Sequence, residues 1–234
     1  MKILCIDTST RNNWIGLYSN GKITDCVGYE DRQSCLINLI PSIKLVLENG
    51  QTTLGSLDAI ATVSGPGAWS SLRIGAATVK QLCLVNRLPL FSVSNNDLIV
   101  ETTLRKSVSQ GHVLAAIDAQ NGKVYSALYR IDDGEKTRLS AYQWDDAAKV
   151  ATDIATEIDD LLIVGDGAYL FEDHLRPNGQ MQDFVPQRDS AYLQILGSLA
   201  ESAHPDYERE RTLLFKPLYI QPSSAEVEFK VSIT

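Results

Sequence analysis

The sequence lacks the features that mark membrane and secreted proteins. None of its apolar runs approaches the ~18 residues that a membrane-spanning helix needs. The first ten residues, MKILCIDTST, carry one lysine and then an acid, and they lack the apolar core and small-residue cleavage site of a signal peptide. We therefore expect a cytoplasmic protein that does not bind membranes.

Metal-binding patterns are also missing. The three histidines, His112, His174 and His204, lie more than four residues apart, so no pair can present two ligands on one helical face. The four cysteines form no CxxC pair and no zinc-binding spacing. We interpret them as small buried hydrophobic residues and predict no metal site.

Motifs of common catalytic sites are absent as well. The chain contains no GxSxG nucleophile elbow, no Walker A phosphate loop and no HExxH zinc motif. We therefore predict no catalytic residue in this chain and no catalytic activity when it is alone.

The acidic balance of the chain is unevenly distributed. Its 234 residues carry a formal net charge of −8, which disfavours direct binding to nucleic acid. Residues 1–107 contain 10 Lys/Arg and 8 Asp/Glu, a net charge of +2, whereas residues 108–234 contain 11 and 21, a net charge of −10. This difference predicts two lobes with different surfaces.

Alternation and periodicity predict the elements of the first half. An antiparallel meander of three strands is expected, with a hairpin turn at Asn20-Gly21. Leu36, Leu39, Ile40, Ile43 and Leu47 then form one face of an amphipathic helix. The predicted strands are Lys2–Asp7, Trp14–Tyr18, Ile23–Tyr29, Leu57–Val63 and Leu90–Val93. The predicted helices are Gln33–Asn49, Ser70–Asn86 and Asn95–Lys106, the last opened by an Asn cap.

The second half begins like the first. Ile3–Asp7 aligns with Leu114–Asp118 at an offset of 111 residues, and the same offset places Trp14 on Tyr125. Chance is the alternative, but a duplicated unit explains the pattern better. Later elements are a helix Asp145–Ile158, a strand Leu161–Val164 and a helix Ser190–Ala203. We divide the chain into lobes at 1–107 and 108–222 and a tail at 223–234, and leave open that the helix near 190–204 packs back on the first lobe.

Two repeats that each open with a strand ending in an acid resemble the ASKHA superfamily of actin, Hsp70 and sugar kinases. The resemblance implies an α/β fold of two ribonuclease-H-like lobes, each with a mixed five-stranded sheet and helices, that clasp a nucleotide. It is an analogy of fold and does not by itself give a function.

A glycine-rich segment, SGPGAWSSLRIG at 64–75, is the most specific motif. Gly65, Pro66 and Gly67 form a rigid turn between a buried strand and a helix. Ser70 or Ser71 can cap that helix, and its free N–H groups could hold an anion. The alternative, which physical reasoning alone favours, is a structural strand-to-helix turn.

Four segments together resemble the TsaB (YeaZ) family: IDTST at 6–10, the GPG and SLRIG elements at 65–75, AAIDAQNGKVYSALY at 115–129 and PLYIQPSSAE at 217–226. The resemblance implies a non-catalytic subunit in the synthesis of threonylcarbamoyladenosine in tRNA. It implies a heterodimer with TsaD, an ATPase partner TsaE, a possible homodimer of the free chain, and only indirect contact with tRNA.

The sequence departs from the family pattern at two places. Ala68-Trp69-Ser70-Ser71 replaces the usual Ser-Phe-Thr-Gly, and no histidine stands near Cys35, where the family has one. The family's partner helices correspond to the first two helices of this chain. The expected interface residues are Leu36, Ile37, Leu39, Ile40, Ile43, Leu72, Ala76, Val79 and Cys83. The alternative is ordinary burial against the lobe's own sheet.

A nucleotide cleft is a weaker expectation. In an ASKHA ATPase, Asp7 and Asp118 would face each other across the cleft and order a magnesium–phosphate. The candidate residues are Asp7, Thr8, Ser9, Gly65, Gly67 and Asp118. We interpret the two acids first as turn caps, so no cofactor is firmly expected, and ATP or ADP would bind at low affinity or at a partner interface. The alternative function is an ATP-binding enzyme, a phosphotransferase or a glycoprotease-like protein.

Overall fold

The computed structural model describes residues 1–10, 12–30, 35–105, 108–155, 158, 160–174 and 190–221. Within these ranges, none of the helices is both long and apolar enough to cross a membrane. The predicted tail at 223–234 lies outside the described residues.

The first sheet confirms the predicted meander. Its strand order is β3-β2-β1-β4-β5, with β1 antiparallel to β2 and parallel to β4. The strands are β1 (Lys2–Asp7), β2 (Asn12–Ser19), β3 (Lys22–Glu30), β4 (Ala59–Val63) and β5 (Leu90–Val93). Asn20 and Gly21 both have positive φ, 53° and 78°, as a tight hairpin turn between β2 and β3 requires.

The second sheet also has five strands, so the predicted fold class is confirmed. Its path is β10-β6-β7-β8, and β9 also pairs with β7. The strands are β6 (Gly111–Asp118), β7 (Lys123–Asp132), β8 (Glu135–Arg138), β9 (Gln143–Asp146) and β10 (Leu161–Val164). The strands β8 and β9 pair with opposite halves of β7, so together they take the place that β3 has in the first sheet.

Six α-helices accompany the sheets in the described part of the chain. They are α1 (Cys35–Asn49), α2 (Trp69–Asn86), α3 (Asn95–Leu104), α4 (Ala147–Ala155), α5 (Ser190–Ala203) and α6 (Arg209–Leu214). The predicted caps were wrong at two helices. The hydroxyl of Ser94, not an asparagine, accepts the Asp97 N–H at 3.0 Å at the start of α3. Ala68 precedes α2, so neither Ser70 nor Ser71 caps it.

The register corrects the predicted alignment of the two halves. Asp7 lies opposite Trp14 in the first hairpin, and Asp118 lies opposite Val124 in the second. Trp14 therefore corresponds to Val124 and not to Tyr125, because the second hairpin connection is one residue shorter. A shift of one residue matters because it moves a side chain to the other face of the sheet.

Helix α5 packs on the first sheet, although it follows the second sheet in sequence. Leu193 and Leu196 share an apolar cluster with Ile3 and Cys5 of β1. The Tyr18 hydroxyl donates a hydrogen bond of 2.7 Å to the Glu201 carboxylate of α5. The opposite face of the first sheet is covered by α1 and α2. The first sheet is thus enclosed on both faces.

Helix α3 faces both sheets. Leu98 belongs to the apolar cluster between the first sheet and α5, whereas Ile99 and Val100 belong to the core of the second sheet. Buried Asn96 donates its amide to the Ala115 carbonyl of β6 at 3.0 Å. The helix therefore connects the two lobes through opposite sides of its surface.

Asp97 is the centre of a polar network between α3 and the second sheet. Its carboxylate accepts hydrogen bonds from Ser94 and Tyr142, both at 2.6 Å, and from Tyr129 at 2.9 Å. Lys136 of β8 donates to its carbonyl oxygen at 3.0 Å. Burial alone would raise the pKa of Asp97, but these hydrogen bonds and the charge of Lys136 hold it below the usual value.

We expect Gly197→Ala to destabilise the protein by about 1–3 kcal/mol, because the added methyl group would overlap the ring of buried Tyr18. Helix propensity alone would predict the opposite sign, a gain of about 0.5–1 kcal/mol. Urea unfolding measures the difference. The matched control is Gly55→Ala, where nothing lies within 4 Å of the added atom. Equal stability of the two variants would contradict this packing.

We expect Asp97→Asn to lower the free energy of unfolding by about 1–3 kcal/mol near neutral pH. A depressed folded-state pKa stabilises the protein above the unfolded pKa of about 3.9, and this contribution disappears as the pH falls through the lower folded value. The gap between wild type and variant should therefore shrink from pH 6 to pH 2. Urea titrations measure it, with exposed Asp133→Asn as the control. A gap that is constant with pH would contradict the assignment.

Candidate functional site

The acid at the end of β1, Asp7, is hydrogen-bonded within its own turn. Asp7 has no exposed surface, and its carboxylate accepts the Ser9 N–H at 2.8 Å. Thr8 and Ser9 are buried as well, at 2% and 0% exposure. The predicted interpretation of Asp7 as a turn cap therefore matches the geometry of this turn.

The glycine segment lies directly on this acid turn. The Ala68 N–H donates to the Ser9 carbonyl at 2.8 Å. A Cβ atom on Gly67 would overlap that same carbonyl, and one on Gly75 would overlap the Thr8 hydroxyl. These two positions require glycine because backbone and side chain of the acid turn fill the space beside them.

The glycine segment is also fixed from its other side. The Gly65 carbonyl accepts the Asn95 N–H at 2.7 Å, and the Asn95 amide donates to the Pro66 carbonyl at 3.1 Å. The Tyr192 hydroxyl of α5 donates to the Asn95 side-chain oxygen at 2.9 Å. The segment is therefore held between the acid turn, α3 and α5.

The second lobe repeats the same construction. Asp118 ends β6, and its carboxylate accepts the Gln120 N–H at 2.7 Å and the Tyr169 hydroxyl at 3.2 Å. The Asp118 N–H donates to the Asp166 carboxylate at 3.1 Å. Gly165 and Gly167 flank Asp166 and lie against the backbone at the end of β6. Each lobe thus has a glycine turn, after the strand parallel to its first strand, that covers an acid turn.

From the sequence, the ASKHA resemblance points to Asp166, between Gly165 and Gly167, as a residue of the loop beside adenosine. Sequence reasoning did not pair these two glycines with Gly65 and Gly67 as a second glycine turn. The available signal was a Gly-x-Gly triplet directly after an apolar strand in each half. The offset of 111 residues does not align the two glycine turns, because the segments between the acid and the glycine turn differ in length in the two halves.

The residues present do not fit a magnesium–phosphate at Asp7 as this turn is folded. A bound ion needs lone pairs that face the cleft, and Asp7 has no exposed surface. The Ser9 and Ala68 N–H groups, which could hold a phosphate, donate to oxygens of the chain itself. In the described ranges, no group of three or more His, Cys, Asp or Glu side chains could hold a metal ion.

The predicted interface residues divide into two sets. Six of them are buried, and four of the six, Leu39, Ile43, Val79 and Cys83, belong to the apolar cluster against the first sheet. At most 9% of each of the six residues is exposed, which favours the alternative of burial within the lobe, and their part in an interface stays a prediction. The six are Leu39, Ile43, Leu72, Ala76, Val79 and Cys83.

The remaining three lie on the outer face of α1. Leu36 and Ile37 are each 72% exposed, and Ile40 is 55% exposed. Pro41 and Leu45 continue this face, and Leu45 is 46% exposed. We call Leu36, Ile37, Ile40, Pro41 and Leu45 the α1 stripe. An apolar face of this kind is typical of a surface that a partner covers.

In comparisons with known proteins, the matching family model and the named relatives agree with one another. The family model described as TsaD, tRNA N6-adenosine threonylcarbamoyltransferase, matches residues 33–201. The TsaB protein of Escherichia coli, named for tRNA threonylcarbamoyladenosine biosynthesis, is 32% identical over 142 residues, or 58% of this chain and 61% of that protein. The TsaB protein of Bacillus subtilis is 26% identical over 135 residues, or 57% of each. The matched part thus spans about 60% of these relatives.

Solved structures show the same fold. YeaZ from Pseudomonas aeruginosa superposes with a TM-score of 0.72 at 23% identity, covering 93% of this chain and 99% of that one. A putative N-acetylmannosamine kinase from Listeria monocytogenes superposes with a TM-score of 0.52 at 11% identity, covering 86% and 100%. The two-lobed architecture is therefore shared with YeaZ and with this protein from Listeria monocytogenes.

The family model covers more than two thirds of the chain, and the two relatives described above are TsaB proteins. The chain therefore belongs to the family that the TsaD model describes, and TsaB proteins are among its relatives.

Proposed function

We propose that this chain is the non-catalytic partner subunit of a threonylcarbamoyl-transferring system. In this role it supports a TsaD-type protein that transfers the threonylcarbamoyl group to the adenosine next to the anticodon, in tRNAs that read A-initial codons. The names of its relatives, taken from tRNA threonylcarbamoyladenosine biosynthesis, motivate this assignment.

The observation that carries the partner role is the α1 stripe. Its residues project from the outer side of a helix whose other side is buried against the first sheet. Apolar side chains on one helix face are suited to pack against a helix of another chain. The occupant that we propose is a TsaD-type protein, with a second copy of this chain in its place when that protein is absent.

The site geometry supports a subunit without catalysis of its own. Asp7 is buried, and Asp118 accepts hydrogen bonds from Gln120 and Tyr169 of the same lobe. The alternative of a free-standing ATP-dependent enzyme finds no supporting observation in this arrangement. We propose that a nucleotide, if the system uses one, binds where the partner completes the site.

Two further partners belong to the proposal. The family resemblance implies a TsaE-type ATPase as a third component. The tRNA would be held mainly by the TsaD-type protein, because this chain carries a formal net charge of −8. The chain alone should therefore bind tRNA weakly at physiological salt.

We expect Ile37→Glu and Ile40→Glu each to weaken association with the TsaD-type protein of the same organism by about tenfold or more, since each would bury an unpaired charge. Isothermal titration measures the affinity. The stability of the free chain should change little, because both side chains are exposed. The control is Leu139→Glu, which changes a 50% exposed leucine in the second lobe.

An affinity that all three variants leave unchanged would contradict the proposed use of the α1 stripe. Failure of the wild-type chain to associate with the TsaD-type protein at all would contradict the partner role itself.

We expect no heat from the chain alone when it is titrated with ATP and Mg²⁺, because the donors and acceptors of the first acid turn are already paired. Asp7→Ala should instead lower the free energy of unfolding by about 1–3 kcal/mol, since it leaves the Ser9 N–H buried without this acceptor. A wild-type binding signal that Asp7→Ala abolishes would favour the ATP-dependent enzyme.

A further inference from the structure

A short segment after α6 connects the two lobes beside the glycine segment. We call residues 216–221 the strap. Its Leu218 N–H donates to the Ser64 carbonyl at 2.7 Å, just before the glycine turn. Three residues later, the Gln221 side-chain oxygen accepts the Tyr125 hydroxyl of β7 at 2.8 Å. The strap is therefore bonded to the first lobe at one point and to the second lobe at the next.

An aromatic stack holds the middle of the strap. The rings of Tyr219 and Trp69 lie 4.8 Å apart with an angle of 29° between their planes. The Arg73 guanidinium lies 4.8 Å from the Trp69 ring centre and 5.6 Å from that of Tyr219. Trp69 begins α2 directly after the glycine turn, so the stack joins the strap to the base of that turn.

Tyr125 of the second lobe contacts both Trp69 and the strap. Burial raises the pKa of Tyr125, nearby Trp69 opposes that rise, and the Tyr125 hydroxyl donates to Gln221 at 2.8 Å. Ile220 of the strap packs against the core of the second sheet. Trp69, Tyr125 and the strap thus form one closed set of contacts at the junction of the lobes.

We propose that the strap holds the glycine turn closed over the first acid turn, and that the Trp69–Tyr219 stack must separate before this turn can open. While the stack is formed, the Leu218 hydrogen bond to Ser64 and the Asn95 hydrogen bonds together hold the glycine turn over the first acid turn, where Ala68 bonds Ser9. When the stack separates, Leu218 loses its position beside Ser64 and the glycine turn can lift.

Two features allow the stack to separate while the core stays folded. Tyr219 is 41% exposed, so its ring can turn into solvent without opening a buried cavity. The strap contributes few buried side chains, whereas β1 and α1 lie in a continuous apolar core. Segments with few buried contacts open locally at a lower free-energy cost than global unfolding.

Amide hydrogen exchange on the full chain tests this proposal. In Tyr219→Ala, the amides of Leu218 and Ala68 should exchange about tenfold faster than in the wild type, because the stack no longer opposes opening. Amides of α1 should keep their wild-type rates. Tyr219→Phe keeps the stacked ring and removes only the exposed 3.4 Å hydrogen bond from Arg73, so its rates should stay near those of the wild type. Leu214→Ala is the control for an exposed apolar side chain on α6.

Three outcomes would overturn the proposal. The rates of Leu218 and Ala68 could remain unchanged in Tyr219→Ala. Faster exchange could stay confined to the strap, which would mean that the glycine turn is not coupled to it. A uniform rise that includes β1 and α1 would mean that Tyr219 is part of the cooperative core. None of these outcomes depends on the proposed partner role, which the association measurements test separately.

Discussion

The polar residues at the start of α3 join the glycine turn, the second sheet and α5 at one point. Asn95 bonds the glycine turn and accepts a hydrogen bond from the Tyr192 hydroxyl of α5, and Asn96 bonds β6. The Asp97 carboxylate accepts hydrogen bonds from three hydroxyl groups. Each of these groups is buried or half-buried, so an unmade bond would be costly. The relation between the two sheets depends on this junction, because the apolar contacts of α3 point to both lobes and do not by themselves fix an orientation.

The two acid turns show how a fold shared with the Listeria monocytogenes protein is arranged in this chain. The acids stand at the ends of β1 and β6, where the fold places them, but each is engaged by its own lobe. The glycine turns, which could have left room for a phosphate, are closed over the acid turns. The exposed apolar surface that we propose for a protein partner is the α1 stripe.

Local patterns predicted much of the fold. The meander, the strand Leu161–Val164 and the helix Ser190–Ala203 were found at or near their observed bounds, because period-two and period-3.6 patterns reflect one-sided burial. The predicted start of α4 at Asp145 was too early. Residues Gln143–Asp146 form a strand because they pair with β7, and their local pattern does not show this pairing. The repeat was found at Asp118, but its second strand was misaligned by one residue, since hairpin length is set by turn geometry and not by composition.

The sequence by itself predicted the two-lobed class and the family through the resemblance of its motifs, and it determined the positions of the two acids and the amphipathic character of α1. It could do so because these depend on residue type and spacing along one segment. Only the tertiary structure decided which face of α1 is free, that Asp7 is buried, and that a second glycine turn covers Asp118. It also decided that Trp69, Tyr125 and Tyr219 meet. These outcomes depend on which segments pack together, and contacts between residues far apart in the chain leave no pattern in either segment alone.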